Sequence, residues 1–305
     1  MNFRVEQNLT KCKLLWNKYS PNSLLWHDWE IISSFYGPER YDPYFLVLED
    51  GSKKDIGILP LWFNQEKKSY RFFGEGYQEN NIFWFDLKYF QEFFEHLPLP
   101  TILYDLNGNC VEEVINKFPD LKDSFKQIDS RFFIDCQKNP SLEIYLNSFT
   151  KKHRKNLLYD LRNLEKLNYT VNQGTLQNFN EFVQFNVARF GEKSDYNNDP
   201  LFVNDVLNFF KVLDKKKLLY PISITINGKV EAIEFCVFHN NVFYILNGGY
   251  NLIYPNLGKL LIYEVIKKGM NLGSSQIDFL VGSENCWKYL WNCSAEPYYT
   301  FKKEI

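Results

Sequence analysis

Two short turns fix the topology of the second half of this chain. Asn227-Gly228-Lys229 separates the apolar run 218–226 from 230–238, and His239-Asn240-Asn241 separates that run from 242–246. Each run has strand length, and Asn-Gly between apolar runs is a strong short-range hairpin signal. Strands joined this tightly are antiparallel neighbours, so the sequence predicts a three-stranded meander. After Gly248-Gly249 and a polar loop, Gly258 opens a helix carrying Leu260, Leu261, Ile262, Val265, Ile266 and Met270. Ile277-Asp278-Phe279-Leu280 reads as a further strand and 298–302 as another. Upstream, the periodicity predicts helices over about 150–167, capped from Ser148, and over about 176–190 and 201–213. Helices, meander, glycine turn, helix and strand in that order specify an α/β (α+β) domain.

The first half is less regular. Helical material lies on either side of Ser20-Pro21-Asn22-Ser23, and runs 44–48 and 56–63 read as a hairpin through Glu49-Asp50-Gly51-Ser52. A third short run, 69–73, ends at Gly74-Glu75-Gly76. Beyond it, 87–96 reads as helix, 101–106 as strand and 110–118 as helix. The polar stretch Asp135-Cys136-Gln137-Lys138-Asn139-Pro140 suggests a boundary, giving domains 1–138 and 139–305.

Composition excludes more than it specifies. The 28 Phe and 20 Tyr can furnish two cores, and 35 basic against 37 acidic residues offer nucleic acid no broad surface. The first residues lack a basic cap and apolar core, and no run approaches the ~20 apolar residues of a membrane helix. Six cysteines without a Cys-x-x-Cys pair argue against a disulfide framework or a metal site, and for buried thiols in a cytoplasmic protein. No Gly-x-Ser-x-Gly, P-loop, His-Glu-x-x-His or strand-to-helix Gly-x-Gly-x-x-Gly occurs, so hydrolase, kinase, metalloprotease and dehydrogenase readings have no local support.

One ordered set of segments is specific. It comprises Lys151-Lys152-His153-Arg154-Lys155, Ala188-Arg189-Phe190, Ile226 to Ala232, Gly248-Gly249-Tyr250, Asn256 to Leu261, Ile277 to Gly282, and Trp287-Lys288-Tyr289-Leu290-Trp291. The set resembles the C-terminal domain of the FemAB-like and cellulose-biosynthesis-associated branch of the GNAT acyltransferase superfamily. The first half resembles that branch's N-terminal domain more loosely. The resemblance implies tandem GNAT-like domains, each a mixed, largely antiparallel sheet flanked by helices. It also implies an N-acyltransferase drawing on acyl-CoA, with an amine of a small-molecule or sugar-linked acceptor, in cell-envelope or polysaccharide biosynthesis. Fem-type relatives take their donor from aminoacyl-tRNA, which makes tRNA the alternative partner. A non-catalytic binding module on a degenerate scaffold is the third reading.

The resemblance puts the donor at Asn256, Leu257, Gly258, Lys259 and Leu260. Free amides at a helix start can cradle a pyrophosphate, with Lys259 adding charge; the other reading is an ordinary cap with a solvated lysine. Only one glycine is present there. Acyl transfer to an amine needs a base, for which Glu234 on the second meander strand and His239 at its end are candidates, with Asp278 beyond. Each also reads as a solvated or structurally paired group. Arg154, Arg189, Lys288 and Trp291 are candidate acceptor contacts. Lys288 lies between tryptophans and either grips an acceptor anion or pairs with Asp278. On this reading Lys288→Ala leaves folding nearly intact.

Overall fold

The turns at 227–228 and 240–241 are left-handed in the computed structural model, which describes residues 1–304. Asn227 and Gly228 have φ of 51° and 77°, Asn240 and Asn241 of 49° and 61°. Successive positive φ values are the type I′ geometry whose twist suits antiparallel strands, and asparagine and glycine tolerate it best. In chain order the elements are β1 (Asn2–Glu6), α1 (Leu9–Tyr19), α2 (Trp29–Ile32), β2 (Tyr41–Glu49), β3 (Asp55–Asn64), β4 (Ser69–Phe72), α3 (Phe90–His96), β5 (Thr101–Asn107), α4 (Gly108–Lys117) and β6 (Phe125–Asp135). There follow α5 (Leu142–Asn147), α6 (Lys151–Glu165), β7 (Thr170–Gln173), α7 (Phe179–Phe190), α8 (Asp195–Asn198), α9 (Pro200–Lys215), β8 (Ile222–Ile226), β9 (Lys229–His239), β10 (Val242–Tyr250), α10 (Leu257–Asn271), β11 (Gln276–Gly282) and β12 (Ser294–Lys303).

The chain forms two compact units. The first takes Met1–Arg131, Val281–Glu284 and the segment from Ala295; the second takes Phe132–Leu280 and Asn285–Ser294. The division at 138/139 expected from the polar stretch thus differs from that of the compact units. The stretch is a turn from β6 into α5, in which Asp135 Oδ1 accepts from the N–H groups of Gln137 and Lys138 at 2.9 and 3.2 Å. The final strand returns to the first unit because β12 pairs antiparallel with β5.

In the first unit the strands run β1-β2-β3-β4-β5-β12. Alternation along the strands sends successive side chains to opposite faces. Leu46, Leu48, Leu59 and Leu61 meet Phe90 and Phe93 of α3 and Val111 and Val114 of α4. Phe45 faces the other way, into an aromatic cluster in which Trp29 stacks on Phe73 at 5.2 Å and Trp16 meets Trp84 edge-on at 4.4 Å.

In the second unit the order is β11-β10-β9-β8-β7, antiparallel except for the parallel pair β10/β11. Ala232, Cys236, Phe243 and Ile245 form one core with Leu157, Leu161 and Leu164 of α6 and Leu257, Leu261 and Val265 of α10. Burying each such leucine contributes about 1.5–3 kcal/mol. Thr150 caps α6 by accepting from the His153 N–H at 3.3 Å, two residues beyond the expected Ser148. On the opposite face Phe235 stacks on Phe210 of α9 at 4.5 Å and meets Phe182 of α7 at 5.8 Å. The fold is therefore α/β, with a largely antiparallel sheet flanked by helices. Among the described residues no helix is long and apolar enough to cross a membrane.

Candidate active site

The parallel pairing of β10 with β11 stops early. It covers Val242↔Gln276, Phe243↔Ile277 and Tyr244↔Asp278, whereas β10 stays paired with β9 as far as Tyr250↔Ala232. A bulge between Ile245 and Asn247 marks the point where the two strands part. Leu280 then adopts a left-handed φ of 62°, and its N–H donates to Asp278 Oδ1 at 2.9 Å. A leucine rarely holds this conformation, so the bend in β11 is a strained feature kept by its surroundings. The result is a wedge-shaped opening along one edge of β10. The same helix that follows β10 lies tight across the closed end: a Cβ on Gly269 of α10 would come within 2.8 Å of Phe243 and 3.0 Å of Ile277.

Beside the opening sits a buried carboxyl. Glu234 lies opposite Gly248 in the β9/β10 ladder, and a Cβ at Gly248 would stand only 1.7 Å from Glu234 Oε2. Only glycine leaves room for that side chain. Burial pushes the Glu234 carboxyl up to about 8, with the positive charge of Lys288 pulling the other way. Lys288, only 8% exposed, sits in the turn 287–291, donates from Nζ to the Leu280 carbonyl at 3.2 Å and lies 6.0 Å from the Phe132 ring centroid. Asp278 is buried as well. Burial raises the Cys293 thiol, with Lys288 opposing and Asp278 adding, so both charges act on one small region. A carboxyl poised near neutrality can exchange a proton with an amine, which an ordinary surface carboxylate does poorly.

Residues 151–289 match the GNAT acetyltransferase domain family. This stretch is a GNAT domain. By that family the chain is an acyltransferase enzyme. No curated protein sequence matches the chain. Among solved structures, FemX is similar over 98% of this chain and 97% of its own, at 11% identity and a TM-score of 0.63. The C-terminal domain of a protein assigned as a lysylphosphatidylglycerol synthetase of Agrobacterium fabrum is similar over 96% and 93%, at 8% identity and a TM-score of 0.53. A tandem GNAT protein from the clavulanic acid biosynthesis pathway is similar over 99% and 98%, at 8% identity and a TM-score of 0.52. These likenesses extend the shared fold to both units.

Within the GNAT domain the structure brings together Glu234, Asp278 and Lys288. It sets His239 apart, at the far end of β9 where the strand turns into β10. At the start of α10, Leu257 and Leu260 point into the core, and their N–H groups donate to the Tyr254 and Asn256 carbonyls at 3.3 and 3.2 Å. Asn256 precedes the helix with φ 67° and no side-chain cap. A Cβ on Gly258 would lie 2.5 Å from the Tyr250 ring, so its close approach is to that tyrosine. Lys259 pairs with Asp160 of α6 at 2.6 Å. The Arg189 guanidinium lies 5.3 Å from the Tyr250 ring centroid, which joins Arg189 to the Gly258 end of the helix. Arg154 donates to Asn147 on the exposed start of α6. Trp291 is a core residue whose carbonyl accepts from the Tyr145 hydroxyl. Two residues at the opening had no sequence signal: Asn247 in the bulge, and Tyr196, to whose hydroxyl Asn247 Nδ2 donates at 3.1 Å. Tyr196 stands in the short α8 amid polar residues, with no periodicity to single it out.

Proposed function

We propose that the chain is an N-acyltransferase taking its acyl group from an acyl-CoA-type thioester and passing it to an amine of a small-molecule or sugar-linked acceptor. The observation that carries this reading is the opening between β10 and β11 with the buried Glu234 at its side. The unpaired edge of β10 after Tyr244 has N–H groups suited to hold the thioester carbonyl oxygen. Glu234 in its anionic form removes a proton from the acceptor ammonium, directly or through water. The free amine attacks the carbonyl carbon, the C–N bond forms, the C–S bond breaks and the thiolate leaves to be protonated. Lys288 tunes Glu234 through its charge. At the start of α10 the Leu257, Lys259 and Leu260 N–H groups already donate to the Tyr254 and Asn256 carbonyls, so the Gly258 N–H is the amide left for the donor's pyrophosphate. Acyl-CoA supply fits a cytoplasmic setting, and polysaccharide or envelope precursors supply such acceptors.

Calorimetric titration with acetyl-CoA, longer acyl-CoAs and free CoA tests the donor. Saturable binding of the thioesters, displaced by free CoA, is the expected result; no binding of any of them sinks the thioester reading. Competition is a cleaner control than substitution at Gly258, where any side chain meets Tyr250.

A second reading has its own observations. FemX and the lysylphosphatidylglycerol synthetase domain share the fold over nearly the whole chain. The pyrophosphate cradle is also crowded by Tyr250, and Lys259 is occupied by Asp160. An aminoacyl-tRNA donor, met by the exposed Lys151, Lys152 and Lys155, accommodates both facts. Its binding is expected to weaken steeply with salt, and failure to bind aminoacyl-tRNA at low salt removes it.

A further inference from the structure

The first unit holds a cavity that the acyl-transfer chemistry does not use. Its volume is about 280 Å³, and it is lined by Gln7, Asp42, Pro43, Tyr44, Phe63 and Tyr70. Strand register puts it together. Asp42 of β2 lies opposite Phe63 of β3, which in turn lies opposite Tyr70 of β4, so the three side chains form one row on one face of the sheet. Tyr44, two residues along β2, shares that face. Farther along, the face is covered, because Leu46, Leu48, Leu59 and Leu61 pack in the core with α3 and α4. Asp42, Tyr44, Phe63 and Tyr70 are half-buried and Gln7 is exposed, so the cavity is open to solvent.

The walls are aromatic and the one charge is negative. Tyr70 meets Tyr44 at a centroid distance of 4.8 Å with 62° between the ring planes, and Phe63 at 4.9 Å with 55°. Rings set at such angles enclose a corner that suits a rounded group, whereas a flat sugar ring stacks best on one open aromatic face. The Asp42 carboxylate accepts from Gln65 Nε2 through Oδ2, and its Oδ1 makes no hydrogen bond or ion pair among the described residues. None of the six lining residues is basic. Arg40, close by in sequence, pairs with Glu39 and lies 5.2 Å from the ring of Tyr41, on the opposite face of β2. Aromatic faces carry negative potential and attract cations, most strongly where water is partly excluded, and alkylated ammonium groups are the cations that such corners hold.

We propose that this cavity binds a quaternary ammonium group, with Tyr44, Phe63 and Tyr70 as its aromatic walls and Asp42 as counter-ion. A fully alkylated nitrogen has no lone pair with which to attack a thioester. The group therefore anchors a ligand and is not the amine that is acylated. The site lies wholly within the first unit and does not depend on the acyl-transfer reading.

The test uses the full chain with choline chloride as probe, beside neohexyl alcohol, the uncharged molecule of the same shape in which carbon replaces the nitrogen. Calorimetry is expected to show saturable choline binding, at least about tenfold tighter than that of the alcohol. Potassium chloride at equal ionic strength controls for charge alone, and N-acetylglucosamine controls for sugars. Tyr70→Leu, which keeps an apolar side chain, and Asp42→Asn, which keeps an acceptor for Gln65, should each weaken choline binding by about fivefold or more. The comparison of choline with the alcohol needs no variant, so a folding defect in either substitution leaves the test intact. Cosedimentation with phosphatidylcholine vesicles distinguishes the sources of the group. Retention that choline competes away assigns a lipid headgroup, and choline binding without retention assigns a soluble molecule. Absence of choline binding, equal binding of the alcohol or of potassium, or binding of the sugar in its place overturns the proposal.

Discussion

Glu234 carries most of the functional argument at the scale of one residue. Its folded-state pKa lies above that of an ordinary carboxyl, so folding favours the protonated form. The stability contributed in this way is complete below the usual carboxylate range and is lost as pH rises through about 8. Glu234→Gln is expected to flatten that loss, seen as a smaller fall in Tm between acid and alkaline buffer. The same substitution lowers kcat/KM by about 10²–10⁴-fold if the carboxyl is the base. In the unmodified enzyme kcat/KM rises with pH and levels off above about 8, since the anion is the active form. A flat profile, or near-normal turnover in Glu234→Gln, removes Glu234 from the chemistry. From the sequence, Lys288→Ala was expected to spare folding; its burial changes that expectation. Lys288→Met, which keeps the volume, should move the inflection of the rate profile to higher pH and lower Tm, because the buried acids lose their neighbouring charge.

Elements were legible in proportion to the apolar contrast they carry. The meander and α10 could be read because turn chemistry and periodicity agree there. β7 was missed, being an exposed edge strand made of Thr170-Val171-Asn172-Gln173. β6 was missed because Lys126, Gln127, Asp129 and Arg131 interrupt its apolar residues. The first meander strand starts at Ile222 rather than 218, since Pro221 lacks the donor a ladder needs. For the site, the resemblance singled out Glu234 on the second meander strand, and the flanking Trp287 and Trp291 drew attention to Lys288 and its pairing with Asp278. The sequence could not show that Tyr250 fills the space at Gly258, because that contact depends on how β10 and α10 pack. Asp42, Phe63 and Tyr70 stand on three different strands, and only the register assembles their row. Truncation on α10 separates packing from chemistry: Leu261→Ala is expected to cost about 2–5 kcal/mol by denaturant titration while leaving the pH profile unmoved. A shifted profile in that variant ties the site to core packing.

At the scale of the molecule, ligand linkage gives the broadest test. A donor at a hundred times its dissociation constant stabilises the folded state by about 2.7 kcal/mol, a readily measured rise in Tm. That rise should survive in Asp105→Asn, since Asp105 belongs to the first unit and α10 to the second. The same variant on its own should be more stable than the unmodified protein at alkaline pH and gain less in acid, because burial holds Asp105 up at about 7. Equal Tm shifts at both pH values exclude that burial penalty.

The return of the last strand bears on how the protein is made. β5 is synthesised early, yet its antiparallel neighbour β12 leaves the ribosome nearly two hundred residues later. Until then the nascent first unit exposes an unpaired strand edge, the kind of surface that recruits other chains into aggregates. The segments of the second unit that form its meander and α10 emerge in between and can fold while the first unit waits. Expression yield should therefore depend more on chaperone supply, and on changes near residues 101–107, than the stability of the finished protein would suggest.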